Sequence, residues 1–262
     1  MNRRQDSPTK YHSRVAVILY AGLIMWLPYR ASAQQQDNDP AVRQWLDRLE
    51  QRGEDLHTLE CTLDYSLEQT LMGDEAQRTG RLFYKRDGEK TRFKFEFTAL
   101  TEDNITQKSK QDYIFDGHWL SHLNHDDKII HRWEVVAPDQ EALDPLRIGN
   151  GPFPLPVGQK TEEVLAHFTV VALPLAEDQQ EGDGHLMLTP IQQTGSANDL
   201  RWIELWIDAG TDLPYRVRTE DESGNLTTVK FDKVRSNKKI KDSTFDVKYT
   251  RRWELIEEAW QQ

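Results

Sequence analysis

Two hydrophobic patterns follow one another along this chain. An Asp39-Pro40 pair, typical of a helix N-cap and first helical residue, precedes apolar residues at helical spacing: Val42, Trp45, Leu46 and Leu49. We expect one amphipathic helix that ends near Gly53. From residue 59 to residue 68 the period becomes two, with apolar odd positions and polar even positions. This alternation predicts a strand with one buried face.

The period of two returns further along the chain. Phe93, Phe95 and Phe97 alternate with charged residues, and residues 202–207 alternate with both faces partly apolar. Turn signals separate these runs at residues 87–88, 124–127, 209–210 and 223–225. Short strands joined by tight turns predict an antiparallel meander, and a sheet with one wet face is typical of antiparallel pairing.

A proline-rich segment interrupts this pattern. Three prolines alternate with apolar residues over 152–156, as Pro152, Phe153, Pro154, Leu155 and Pro156. Such a segment neither completes a strand ladder nor continues a helix. We interpret it as a flap over a hydrophobic surface, or alternatively as a rigid loop between elements.

Two further helices are predicted after this segment. Thr161 is expected to cap a short helix over residues 161–168, with Glu162 and Glu163 at its positive end. After a strand at 245–249, Trp253, Ile256 and Trp260 follow helical spacing. We find no internal repeat, so residues 34–262 are expected to form a single domain.

The N-terminus has the features of an export signal. Four basic residues precede an uncharged apolar run over 15–27, and Ala31-Ser32-Ala33 follows it. This order predicts a Sec-type signal peptide over residues 1–33, cleaved on export to the periplasm. A retained signal anchor is the alternative interpretation.

Charge and cysteine content describe the exported part. Residues 1–33 contain five basic residues and one acid, so the remaining 229 residues carry a formal charge of −15, against −11 for the whole chain. An acidic chain argues against nucleic-acid binding, which needs a basic surface. Cys61, the single cysteine, has no partner for an internal disulfide. Its place in an apolar stripe favours a buried, unreactive thiol over a reactive one.

Candidate chemistry is sparse. His118, His122, His125 and His131 lie within fourteen residues, and a metal site there is the alternative to a polar hairpin tip. Adjacent carboxylates diverge along a strand or helix, and no nucleophile elbow, phosphate-binding loop or zinc-protease motif is found. We therefore expect no enzyme and no cofactor. A basic run over 230–241 is either a docking surface or a solubilising turn.

A series of short motifs then resembles a known family. The segments that carry the resemblance, in order, are 80–86 (GRLFYKR), 115–120 (FDGHWL), 205–208 (LWID), 213–217 (LPYRV), 223–231 (SGNLTTVKF) and 245–247 (FDV). Their order and spacing resemble the LolA family of periplasmic lipoprotein carriers over nearly all of residues 34–262. Residues 151–160 further resemble a divergent subfamily of LolA-like sorting proteins.

The resemblance implies a fold and a function. The expected fold is mainly β: a curved, unclosed antiparallel half-barrel with a helical lid, of the LolA and LolB type. Family members hold lipoprotein acyl chains in a cavity and carry them from the inner to the outer membrane. The implied partners are lipid, an inner-membrane release complex and an outer-membrane acceptor, and the chain is expected to be a monomer. Such a carrier needs an apolar cavity and a lid that opens.

Candidate site residues come from the family resemblance and from the apolar strand positions. Arg86 matches the family arginine that bonds to the lid, although Asp87 replaces the proline that follows it in the family, and Pro152–Pro156 are expected to belong to the lid. The candidate cavity residues occupy apolar strand positions: Leu63, Tyr65, Phe83, Phe93, Phe95, Phe97, Trp119, Trp133 and Trp206. Plain core packing is the alternative for each of them. The leading hypothesis is a lipid or lipoprotein carrier, followed by a lipid sensor that signals through a protein partner and by a hydrolase that uses the histidine-rich hairpin.

Overall fold

The computed structural model describes residues 39–88, 90–136, 157–191 and 200–259. These residues form two α-helices, a 3-10 helix over Asp242–Phe245 and the strands of one sheet. Their bounds are α1 (Pro40–Glu54), β1 (Thr58–Gln69), β2 (Asp74–Asp87), β3 (Lys90–Glu102), β4 (Ile105–Phe115), β5 (Trp119–Asn124), β6 (Ile129–Glu134), α2 (Thr161–His167), β7 (Phe168–Ala172), β8 (Gly184–Pro190), β9 (Leu200–Asp208), β10 (Leu213–Asp221), β11 (Leu226–Ser236) and β12 (Glu254–Glu258).

Helix α1 begins where its capping residues predict. The Asp39 carboxylate accepts a hydrogen bond from the Ala41 backbone N–H at 2.9 Å, and Pro40 occupies the first helical position. Val42, Leu46 and Leu49 form the buried stripe of the helix. The predicted amphipathic helix is confirmed.

The strands form a single twelve-stranded sheet in the order β12-β6-β5-β4-β3-β2-β1-β11-β10-β9-β8-β7. Strands β1 to β6 form one antiparallel meander and β7 to β11 a second, and the β1–β11 pair joins them. The outermost strands, β12 and β7, are not neighbours, so the sheet is unclosed. The predicted fold class, a mainly β and unclosed sheet, is confirmed.

The two faces of the sheet are covered differently. On the inner face, defined here by Leu63, Leu82, Phe95 and Leu205, the strands pack against α1 in the main hydrophobic core. A smaller cluster lies on the outer face, where Ile114, Leu123 and Ile130 pack against Phe245. Alternate residues of one strand serve the two clusters, as its pleat requires.

The C-terminal prediction is wrong. Residues 254–258 form β12, parallel to β6, and residues 246–249 lie in no strand, so neither the predicted helix through Trp253 and Ile256 nor the strand at 245–249 forms. Trp260 lies outside the described residues. Without β12, strand β6 would present unpaired backbone groups at the edge of the sheet. The Glu254 N–H donates to the Lys128 carbonyl at 2.9 Å, and β12 satisfies the rest of that edge.

The predicted cap of α2 is also wrong. The helix begins after Lys160, without a side-chain cap, and the Thr161 hydroxyl donates instead to Asp47 of α1 at 2.7 Å. Glu50 accepts the Thr161 N–H at 2.8 Å. Tertiary contact with α1 thus replaces the local cap, while Glu162 and Glu163 occupy the first turn as expected.

Candidate functional site

A cavity of about 1370 Å³ opens on the inner face at one end of the sheet. Three hairpins meet there, at residues 70–73, 103–104 and 222–225, and we call this the open end. At the opposite, closed end, α1 lies against the β9–β10 hairpin, where Arg48 and Arg52 donate to the carbonyls of Ala209 and Thr211. The helix therefore covers only part of the inner face, and the cavity occupies the rest.

The cavity shows that the sheet is strongly curved. Trp133 of β6 and Val217 of β10 both line it, although seven strand intervals separate β6 from β10 in the sheet. At about 4.8 Å per interval, a flat sheet would hold these strands roughly 34 Å apart. Residues so distant along the sheet share one cavity because the sheet bends around it.

Aromatic side chains form the inner wall of the cavity. The Phe97 ring lies 6.1 Å from the rings of both Tyr65 and Tyr113, with edge-to-face geometry in each case. Tyr113 also stacks on His122 at 4.3 Å. Leu120 and Trp133 extend this wall across β5 and β6. This wall is built from aromatic and aliphatic side chains, and two of them, Tyr65 and Tyr113, carry hydroxyl groups.

Acidic residues surround the outer part of the cavity. We call this group the acidic rim; its members are Asp74, Glu75, Glu102, Asp103, Asp221 and Glu222. Just outside it, Leu71, Met72 and Ile105 are exposed apolar side chains on the neighbouring hairpins. The cavity therefore passes from an aromatic interior to a charged, hydrated entrance.

Arg78 is the one lysine or arginine among the described residues that line the cavity. Its Cα partners across the sheet are Tyr65 on β1 and Leu100 on β3, both uncharged. Its Nη1 nitrogen is shielded from solvent and has no hydrogen-bond partner in the described part of the chain. The positive charge thus lies at the level where the aromatic wall ends.

Burial and nearby charges shift the pKa values of two neighbouring side chains, Tyr113 and His122. Burial raises the pKa of Tyr113, against the opposing effect of the Arg78 charge, so the hydroxyl stays protonated. Burial also lowers the pKa of His122, and the charges of His131 and Arg78 lower it further. At pH 7 both rings are neutral, and Arg78 supplies the positive charge of this wall.

The closed end is held by backbone contacts. The Nη2 of Arg86 donates to the carbonyls of Gly53 and Glu54 at 2.8 and 2.6 Å, in the last turn of α1. The Gly158 N–H donates to the Leu49 carbonyl at 3.2 Å, and this close approach leaves no room for a Cβ on Gly53. Arg86, which the sequence resemblance aligns with an arginine bonded to the lid, here contacts α1.

The nine candidate cavity residues fall into three groups. Tyr65, Phe97 and Trp133 line the cavity. Leu63, Phe93 and Phe95 lie on the same face, in the core beneath α1. Phe83, Trp119 and Trp206 face the other way: Phe83 packs in the outer cluster, Arg132 covers Trp119, and Trp206 stacks on His185 and Arg216. The candidate lid residues Pro152, Phe153, Pro154, Leu155 and Pro156 lie outside the described residues.

Several residues that line the cavity were not predicted from the sequence. Tyr113 and Leu120 belong to the alternation of β4 and β5, so extending that pattern on either side of Phe115 finds them. Arg78 lies in a polar stretch, residues 74–79, where no hydrophobic period shows which side chains face inward. Only its pairing with Tyr65 assigns it to the cavity.

The histidine-rich hairpin is divided between the two faces. His122 and His131 are Cα partners on the inner face, whereas His125 bonds to Asp112 and contacts Trp253 of the outer face. His118 precedes β5 and bonds to Glu134 at 2.6 Å. In the described ranges, no group of three or more histidine, cysteine or acidic side chains is placed to hold a metal ion.

Cys61 is buried, as its position in the apolar stripe predicts. Burial raises the pKa of its thiol to about 12. Among the described residues, no helix combines the length and hydrophobicity that a membrane crossing requires.

No protein-family model and no curated protein matches the sequence. Solved structures do match the fold. One is a chain of the MucA/MucB complex of Pseudomonas aeruginosa, at 15% identity and a TM-score of 0.44, over 79% of this chain and 61% of that one. This chain therefore spans about three fifths of the length of that relative.

Two other similar structures are matched over nearly their whole length. An outer membrane lipoprotein-sorting protein domain from Vibrio parahaemolyticus is 11% identical, with a TM-score of 0.39, over 78% of this chain and 97% of its own. A LolA superfamily protein from Nitrosomonas europaea is 10% identical, with a TM-score of 0.35, over 79% and 98%. The structure shows an unclosed, mainly antiparallel sheet with a helix on its inner face, and a LolA superfamily structure is among those similar to this chain.

Proposed function

We propose that this protein is a periplasmic carrier that binds the acyl chains of a lipoprotein or another lipid in the inner-face cavity. It moves them toward the outer membrane without covalent chemistry. One observation carries the proposal: the cavity, at about 1370 Å³, exceeds the roughly 300–1000 Å³ of pockets for small molecules. Its wall combines Tyr65, Phe97, Tyr113 and Trp133 with aliphatic residues.

The energetics of such a cavity suit reversible binding. Each buried methylene contributes about 0.8 kcal/mol, so ten of them contribute about 8 kcal/mol. Before the cost of association is subtracted, this corresponds to a dissociation constant of about 1 μM. The cost of association weakens this affinity, and a membrane offers the acyl chains a similar apolar environment, so binding stays reversible.

Two sequence features support a periplasmic carrier. The export signal predicted over residues 1–33 supports a periplasmic location, and the motif series resembles lipoprotein carriers. The acidic rim keeps the entrance hydrated, so the apolar interior remains compatible with a dissolved protein.

A matched pair of tryptophan substitutions tests lipid binding. Ala76 lines the cavity, and the next residue of β2, Gln77, is exposed and points to the other face. Ala76→Trp fills part of the cavity, so we expect it to reduce copurifying lipid, measured by native mass spectrometry, at least fivefold. Gln77→Trp is expected to leave lipid occupancy unchanged. A folded Ala76→Trp protein with full lipid occupancy would contradict the proposal, as would a wild-type protein that never holds lipid.

A transfer assay separates a carrier from a sensor. Donor vesicles contain a fluorescent phospholipid or a tripalmitoylated lipopeptide, and unlabelled vesicles accept it. A carrier accelerates transfer in proportion to protein concentration, and Ala76→Trp removes the acceleration. Binding without acceleration would instead support the second hypothesis, a lipid sensor that acts through a protein partner.

A further inference from the structure

The inner face near the open end is arranged in levels along its strands. Tyr65, Arg78 and Leu100 are cross-strand neighbours at one level. Two residues further toward the open end, Leu67, Ala76 and Glu102 form the next level. Successive levels on one face lie about 7 Å apart, because each residue of a strand rises roughly 3.3 Å. A ligand that enters this cavity therefore meets chemical groups in a fixed order.

That order is apolar, then cationic, then anionic. Phe97 and the core residues lie deepest, Arg78 follows, and Glu102, Asp74 and the rest of the acidic rim lie outermost. We propose that the cavity selects an amphiphile whose acyl chains are followed first by a phosphate and then by an ammonium group, as in a zwitterionic phospholipid. This inference rests on the proposed function and names the substrate class of the same site.

Arg78 is the residue expected to bind the phosphate group of the ligand. Its side chain makes no ion pair or hydrogen bond within the described residues, although its Nη1 is removed from solvent. A shielded guanidinium nitrogen without a partner is costly, and a planar guanidinium matches a phosphate with two parallel hydrogen bonds. Tyr65, at the level of Arg78, and Tyr113, deeper in the wall, line the same cavity and carry hydroxyl donors. A phosphate at the level of Arg78 satisfies the guanidinium nitrogen that the protein leaves without a partner.

The acidic rim is the surface expected to bind the ammonium group of the ligand. Residues of the acidic rim line the outer part of the cavity, with Glu102 one level and Asp74 two levels beyond Arg78. They repel a head group that carries only negative charge, and they attract a cation attached beyond the phosphate. The two charges of a zwitterionic head thus face opposite charges on the protein in the right order.

Soluble short-chain lipids allow a direct test by calorimetry on the chain without residues 1–33. The probes share dioctanoyl chains and differ in head group: phosphatidylethanolamine, phosphatidylglycerol and diacylglycerol. We expect the first to bind most tightly and the last most weakly. Arg78→Gln should weaken binding of both phospholipids about tenfold or more and change diacylglycerol binding less than twofold. Glu102→Gln should weaken phosphatidylethanolamine binding and leave phosphatidylglycerol binding unchanged or improved.

A control on the same strand isolates the role of Arg78. Arg81 lies three residues away on the outer face, paired with Glu96 at 2.6 Å, so Arg81→Gln makes the same charge change outside the cavity. We expect it to bind all three lipids as the wild type does. Arg78→Lys retains the charge without the planar donors and should give intermediate affinity, and thermal unfolding verifies that each variant is folded.

Other results overturn the inference in distinguishable ways. Equal losses for all three lipids in Arg78→Gln would make Arg78 a purely structural residue. Inorganic phosphate or glycerophosphoethanolamine that binds as tightly as the lipid would indicate a phosphate site rather than a lipid site. If the wild type binds diacylglycerol as well as phosphatidylethanolamine, the proposed function stands and this inference fails. If it binds none of the lipids, both fail.

Discussion

The closed and open ends of the inner face are built from the same strands and differ in what covers them. Along β1, Leu59, Cys61 and Leu63 are buried beneath α1, whereas Tyr65 and Leu67, on the same face and in the same alternation, are half-exposed in the cavity wall. At the closed end, Leu46 and Leu49 of α1 fill the space above the sheet. At the open end no described residue fills it.

This difference shows that one strand forms part of the core at one end and part of the cavity wall at the other. The period of two decides which residues face inward, and the length and position of α1 decide where the core ends. Stability therefore depends on the closed end, while the open end is where we propose that ligand enters and leaves. Four predictions test this division, beginning with the largest effect.

The thiol reactivity of the two ends should differ more than a thousandfold. With a pKa of about 12, Cys61 is thiolate for only about one part in ten thousand at pH 8. A thiol introduced by Leu67→Cys lies in the partly exposed cavity wall. With the unperturbed cysteine pKa of about 8.5, about a quarter of it is thiolate at pH 8. Labelling with a chromogenic disulfide at pH 8 measures both rates. Rapid modification of Cys61 in the folded wild type would contradict a sealed closed end.

Leucine truncation should cost far more at the closed end. Leu49 is 1% exposed in the core, so Leu49→Ala should lower the free energy of unfolding by about 2–5 kcal/mol. Leu67 borders the cavity, so Leu67→Ala should cost less than about 1 kcal/mol. Urea unfolding followed by tryptophan fluorescence compares the two. Equal costs would mean that the open end is as tightly packed as the core.

Adding one methyl group should loosen the contact that holds α1. A Cβ on Gly53 would lie 2.0 Å from the Gly158 Cα, so the backbones must separate. Gly53→Ala should lower the free energy of unfolding by about 1–3 kcal/mol, although alanine favours helix. Gly210→Ala is the control, because its Cβ meets only ordinary contacts. A stabilised Gly53→Ala protein would show that this close approach does not fix the helix.

Removing the Arg86 contact should produce the smallest loss of stability. Arg86→Leu deletes two hydrogen bonds to the last turn of α1 and should cost about 1–2 kcal/mol. Amide exchange in α1 and lipid release should both become faster. The control is Arg235→Leu, which breaks an exposed ion pair with Glu60 and should change stability by less than about 0.5 kcal/mol. Unchanged lipid release in Arg86→Leu would indicate that α1 does not gate the cavity.

The parts of the fold that local chemistry dictates could be predicted from the sequence. The cap of α1 and the alternation of β1 and β9 formed as expected, because each depends on neighbours in the chain. The C-terminal helix did not form, because the free edge of β6 offered residues 254–258 a better set of hydrogen bonds. Thr161 likewise bonds to Asp47 of α1 rather than to its own helix.

The candidate site was predicted only in part. Tyr65, Phe97 and Trp133 were found by alternation, but the same rule selected Trp206, since both faces of β9 are apolar and the sequence does not say which is inner. Arg78 was missed because its polar segment carries no period.

The sequence by itself determined that this is a mainly β chain with one amphipathic helix and strands wet on one face, since side-chain period follows directly from backbone geometry. The tertiary structure alone decided which face of each strand is inner, how far α1 covers that face, and which distant residues share the cavity. These depend on strand pairing and sheet curvature, which bring together residues such as Tyr65 and Val229, far apart along the chain. The alternation of apolar and polar residues specifies which side chains can form the cavity wall, and the packing of α1 decides which part of that face stays uncovered.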